Sequence, residues 1–234
     1  MRYFYLIILI GCFSCNNERV LQLPEIEHAE VTEVLDVSPA YIFYDETQPD
    51  SAFLNRKNLI STTNWLVNVD KRLILKQAMP HIIFLQDKRR NAELHKNEEA
   101  QNYYTCNDTA IRNLGFIEFT NVNYEIISIK KDAISKHNRR RNLLDNILIS
   151  ENTIAPSYII IDTQNKANAE SQFKKILASR RGSIPLDKNI KITRLSLDIY
   201  FDSNLSFQDY VSIKSKLLAF GSEKIIFETN EFIY

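Results

Sequence analysis

Ser157-Tyr158-Ile159-Ile160-Ile161-Asp162 is a short run of β-branched and aromatic residues that ends on a turn former. Such a run reads as a buried strand. Directly downstream, Ala169 to Arg181 carries Phe173, Ile176 and Leu177 at helical spacing, with Gly182 and Pro185 to close it. Ile192 to Phe201 then alternates Leu195, Leu197 and Ile199 against Arg194, Ser196 and Asp198, the pattern of a second strand. Ser206 is placed to cap a helix from Phe207 to Phe220, Gly221 follows it, and Lys224 to Thr229 forms a closing strand. The order is strand, helix, strand, helix, strand.

Upstream, the same order recurs. Trp65 to Asp70 reads as a strand, and Leu73 to Arg90 as a helix with Leu75, Met79, Ile82, Ile83 and Leu85 on its apolar stripe. Pro80 inside that pattern predicts a kink or a later helix start. Asn102 to Asn107 is the next strand. Thr109 to Asn113 reads as a short helix capped by Gly115, and Phe116 to Asn121 as a third strand. Val69-Asp70 matches Ile161-Asp162, and each is followed by an Arg-Arg pair at 89–90 and 180–181. The pattern suggests a duplication.

The expected fold class is therefore α+β: two related βαβαβ-like halves, each a small mixed sheet with helices packed on one face. The expected boundaries are residues 31–128 for the first half, 129–155 for a basic helical connector and 156–234 for the second half. Within the first half, Val31 to Asp36 and Ala40 to Tyr44 read as strands and Ala52 to Leu59 as a short helix.

The chain has 234 residues, with 29 basic and 29 acidic side chains in balance. No net charge draws it toward nucleic acid, which is excluded as a partner. Four glycines and six prolines leave little room for low-complexity stretches, and three cysteines make no disulfide framework. Two of those cysteines lie at the start. Arg2 precedes the apolar run Tyr3-Phe4-Tyr5-Leu6-Ile7-Ile8-Leu9-Ile10-Gly11, and Cys12-Phe13-Ser14-Cys15-Asn16-Asn17 follows. The run is about eleven residues, short of the roughly eighteen that span a bilayer, so it reads as an export signal. A cysteine after a small residue resembles the bacterial lipoprotein signal, in which the thiol receives a diacylglyceryl group. Cys15 is preferred as the lipid attachment site and Cys12 is the alternative. On this reading residues 1–15 are a signal peptide and 16–30 a tether off the membrane. The protein is expected to be exported and anchored at the periplasmic side of the cell envelope. Asn16 after Cys15, where sorting to the inner membrane favours Asp, favours the outer membrane.

A second resemblance lies at the far end. Asp202-Ser203-Asn204-Leu205-Ser206-Phe207-Gln208-Asp209-Tyr210-Val211, with Lys216 to Thr229 after it, looks like the periplasmic domain of the ExbD/TolR biopolymer-transport family. The match covers about 35 residues well and residues 157–230 loosely, and it involves no catalytic motif. The resemblance implies a periplasmic protein-interaction domain. The family's membrane helix with its titrating Asp has no counterpart here, since no acidic residue precedes Glu18. The proton-coupling part is thus not implied.

Catalytic signatures are absent from the sequence. It has no phosphate-cradling glycine loop, no His-Glu-x-x-His and no Gly-x-Ser-x-Gly. His95 and Glu99 have the spacing of metal ligands on a helix but read more simply as a solvated polar segment, and no cofactor or metal is called for. Cys106 with His81 or His95 would make a nucleophile and base, and a structural thiol is the simpler reading. Asp198 and Asp202 on one strand would be about 13 Å apart, too far for a retaining carboxylate pair, and read as surface charge. Lys130, Lys131, Lys136, His137 and Arg139-Arg140-Arg141 form one basic cluster, read as a solvated helix face, with anionic lipid as the alternative.

The expected function is a lipid-anchored, non-enzymatic envelope interaction module, accessory to a TonB/Tol-like energy-transducing system. The alternative is a small hydrolase or carbohydrate-processing lipoprotein. The expected partners are the membrane, through the N-terminal lipid, an envelope protein, and a second copy of the chain. An open strand edge is the expected means of capture, with Ile199, Tyr200 and Phe201 or Ile225, Ile226 and Phe227 as the residues.

Overall fold

A computed structural model describes residues 19–92, 97–137, 157–181, 193–219 and 225–234. The chain is an α+β fold built on two sheets, as the sequence pattern implies. The first sheet takes β1 (Glu25–Ile26), β2 (Val37–Tyr44), β3 (Ala52–Asn55), β4 (Asn64–Val69), β5 (Asn102–Asp108) and β6 (Asn113–Glu118). Helix α1 (Leu75–Arg90) connects β4 to β5. The second takes β7 (Asn123–Ile126), β8 (Ser157–Ile161), β9 (Thr193–Phe201) and β10 (Ile225–Ile233), with α2 (Ala169–Arg181) and α3 (Phe207–Leu218) as crossovers.

In the first sheet β2, β4 and β5 run parallel, while β3 and β6 flank them antiparallel. β2 shows the two-residue period that fixes its facing. Ser38, Ala40 and Ile42 are buried, and Pro39, Tyr41 and Phe43 are only partly so. β6 occupies one edge of β5, so β4 and β1 lie end to end along the other. The second sheet differs from a mixed one, because all its pairings are parallel. β9 and β10 are each reached through a helix and β7 from the first sheet, and only hairpins make antiparallel neighbours cheaply.

The strands and helices of the second half lie where their periodicity puts them, but several elements of the first half do not. Ala52–Asn55 is strand β3, not a helix; Ser51 takes a positive φ of 56° and turns the chain back onto β2. The segment Val31 to Asp36 is no strand and makes only one bridge, Val31 to Phe116. Thr109 to Arg112 is the turn of a β5–β6 hairpin, with Arg112 at φ 53°. Gly115 is no helix cap. It sits in β6 because a Cβ there would lie 2.5 Å from the Cβ of Ala29. Helix α1 runs through Pro80 unbroken.

Residues from Arg19 onward are no tether. Lys71 donates its N–H to the carbonyl of Gln22 (2.8 Å), Asn107 to that of Pro24 (2.8 Å), and Ile26 is buried. An apolar Ile flanked by unpaired backbone is drawn onto the free end of β5.

The two halves meet at their turns. β4 and β9 both end in an Asp (Asp70, Asp202) before a tight turn and a helix. Ile74 bridges Ser206, and the flanking groups bond reciprocally: Leu75 N–H to Leu205 C=O (2.9 Å), Phe207 N–H to Leu73 C=O (2.7 Å). Lys76 N–H to Ser203 C=O (2.9 Å) and Gln208 N–H to Lys71 C=O (3.4 Å) repeat the exchange one step out. A local two-fold relation produces this pattern. It equates β4-α1-β5 with β9-α3-β10, so Asp70 corresponds to Asp202 and not to Asp162.

Candidate interaction surface

Ile199, Tyr200 and Phe201 are not at an edge. β9 pairs β8 on one side (Ile199 with Ile159, Phe201 with Ile161) and β10 on the other. All three side chains are buried, because a central parallel strand is covered on both faces. Ile225, Ile226 and Phe227 pair with Thr193, Arg194 and Leu195. β7 reaches β10 only from Asn230 to Ile233, so among the described residues no strand pairs the other side of Ile225–Thr229. Of the two sequence-predicted edges, only this one is at a margin. Cys12 and Cys15 lie outside the described residues, as do His95 and Arg139 to Arg141.

Among the described residues a cluster of ionisable groups is buried between the sheets. Tyr104 of β5, Tyr124 of β7, Tyr210 of α3 and Glu231 of β10 are linked through hydroxyl contacts of 2.9, 2.9 and 2.7 Å. Tyr210 has a single hydroxyl proton and gives it to Glu231, so Tyr124 must donate to Tyr210 and Tyr104 to Tyr124. Lys214 closes the chain on the other oxygen of Glu231. Burial drives all three phenols well above their ordinary range. All five groups are buried, and the hydrogen bonds among them lock the sheets together. The sequence gives no warning of it, because its five members come from four elements.

The carboxylates at the carboxyl ends of the parallel strands are the place where α/β sheets commonly keep their chemistry. Here most are taken up by the backbone. Asp108 accepts the N–H groups of Ala29, Ala110, Ile111 and His28; these bonds, Ala29's foremost, hold it below its usual range against burial. Burial pushes Asp70 up, but Arg72, gripping both its oxygens, and the N–H groups of Arg72 and Gln22 overcome that and hold it low. Asp162 is likewise buried yet held low by Lys131 and the N–H groups of Asn165 and Gln164. Asp198 is no surface charge: it is buried and accepts from Asn230 at 3.0 Å.

Burial pushes the Cys106 thiol up to about 12, the wrong direction for a nucleophile. His81 turns instead to Asp50, 3.5 Å away. The basic cluster begins by packing rather than facing solvent throughout: Ile134 is buried against Tyr200 and Phe232, and His137 Nδ1 lies 3.1 Å from the Tyr200 hydroxyl. Among the described residues no three His, Cys, Asp or Glu side chains converge as metal ligands, and no helix is long and apolar enough to cross a membrane.

Comparison with known proteins adds no relative: no protein-family model, no curated protein and no solved structure matches the chain.

Proposed function

We propose that the protein is an exported, lipid-anchored interaction module of the cell envelope that captures a protein partner along a strand edge. The carrying observation is the margin of β10 at Ile225–Thr229, which no strand among the described residues pairs. An unpaired strand margin templates a further strand through its backbone groups. The ExbD/TolR resemblance of the second half supports a partner in a TonB/Tol-like energy-transducing assembly, with this chain as an accessory.

The test is a crosslinking pull-down of the tagged, lipidated protein from its native envelope. Recovery of proton-channel or TonB-like subunits is expected. Successive residues of a strand direct their N–H groups to opposite edges, so one of Ile225→Pro and Ile226→Pro blocks capture while leaving β9 paired. Ile225→Ala and Ile226→Ala are expected to retain it. Glycan recovered without protein, or unchanged capture by both folded proline variants, sinks the reading.

A further inference from the structure

Resting on the lipid anchor proposed above, we infer that the β2–β3 half of the outer face of the first sheet lies on the lipid surface that holds Cys15. Two observations meet there. The first is reach. Arg19 is the first described residue; its guanidinium lies 4.1 Å from the centre of the Phe53 ring and its Nε bonds Asp45 at 2.9 Å. Three residues separate Cys15 from Arg19, and extended chain covers at most about 14 Å over those four Cα–Cα steps. A tether of that length pins the body to the bilayer and selects the part of its surface nearest Arg19.

The second is what that surface carries. Register places Tyr41, Phe43 and Phe53 on one face of the sheet, the face turned away from Ala40 and Ile42 in the core. Tyr41 and Phe43 stack at 5.7 Å and Phe43 meets Phe53 at 6.4 Å. All three rings are partly exposed, and none belongs to the hydrophobic core beneath α1. Val37 on the same face and Val20 next to Arg19 are 40% and 70% exposed. A Tyr ring, apolar in body and polar at its hydroxyl, settles at the headgroup level of a bilayer, and Phe rings beside it add apolar area at the acyl boundary. Beside them Arg19 is paired with Asp45 and the pair carries no net charge, so the contact does not depend on anionic lipid.

The experiment uses the full lipidated chain in phosphatidylcholine vesicles with brominated acyl chains, which quench tryptophan at short range. Phe43→Trp and Phe53→Trp report on the face, and Leu218→Trp, 39% exposed on α3, serves as the control. Tyr41→Trp is a further reporter on the same face should either ring variant misfold. After subtraction of the native Trp65 signal, the face reporters are expected to lose about half their emission and the control none. The loss is expected to be the same with and without anionic lipid. Mass analysis of the same sample reads the modification. Equal emission from face and control in protein that is lipidated on Cys15 and vesicle-bound overturns the docking and leaves the anchor standing. Lipid on neither Cys15 nor Cys12 overturns the anchor, and the docking falls with it; lipid on Cys12 keeps the anchor, stretches the reach to about 25 Å and overturns the docking argued from a short tether.

Discussion

Lys214 and Glu231 are the residues on which the interior most depends. Both side chains are all but removed from solvent, at 6% and 2% exposure, and among the described residues each is the other's counter-ion. Removing one member of a buried pair strands the other, so Lys214→Met is expected to cost about 3–5 kcal/mol. Taking both away, as Lys214→Met with Glu231→Leu, should cost less than Lys214→Met alone; urea titration of the two variants decides it. The phenols beside them set an alkaline limit. Burial raises Tyr104, Tyr124 and Tyr210 well above the ordinary value of 10.0, so the unfolded chain gives up these protons first. Stability linked to them is complete below pH 10 and is lost as pH climbs above it. The urea midpoint should therefore hold steady from about pH 7 to 9 and fall beyond 10, and Tyr124→Phe should flatten that fall. An unchanged slope in Tyr124→Phe would locate the alkaline limit elsewhere.

Among the elements, Gly115 shows what packing decides without periodicity. Its missing side chain lets Ala29 approach β6, and a methyl group there would meet the Ala29 Cβ at 2.5 Å. Gly115→Ala is expected to destabilise by about 1–3 kcal/mol, and Ala29→Gly in the same chain to restore part of it. Thermal melts of the three variants check this, and a Gly115→Ala protein as stable as the parent would show that the β1 arm yields freely. A close approach of this kind leaves no trace in sequence, where a lone glycine after polar residues reads as a helix cap. The same blindness explains β3 and β7, four residues each, too short for a period to show. The long elements were legible because burial on one side imposes a rhythm: Phe207, Tyr210, Val211, Ile213 and Leu217 of α3 turn inward as their spacing says. Arg89 was visible only as half of an Arg-Arg landmark. It is buried against Trp65 at 4.1 Å, donates to Thr63 and Ala100, and burial lowers it to about 10.

For the whole molecule, the position of β7 outweighs the apparent repeat. A boundary at residue 128 follows the composition of the chain, yet β7 leaves the first sheet's run of strands to pair with β10, and Tyr124 carries the hydroxyl chain between Tyr104 and Tyr210. The reciprocal bonds between the turns at Leu73–Lys76 and Ser203–Gln208 join the halves a second time. Tyr104, equated by the local two-fold with Glu231, packs its ring on Phe119 and edge-on to Phe207, so one apolar core runs through both sheets. A structure tied this way has no internal plane along which to open. The full chain is expected to unfold in one cooperative step, with Trp65 fluorescence, which reports the first sheet, superimposing on far-ultraviolet circular dichroism, which reports both. The fragment 156–234 lacks β7 and leaves Glu231 and Tyr210 facing water, so it is expected to show no cooperative transition of its own. Two resolved steps in the full chain, or a stably folded monomeric fragment, would mean that the second half stands alone and that the tyrosine chain is an ornament of the interface rather than its tie.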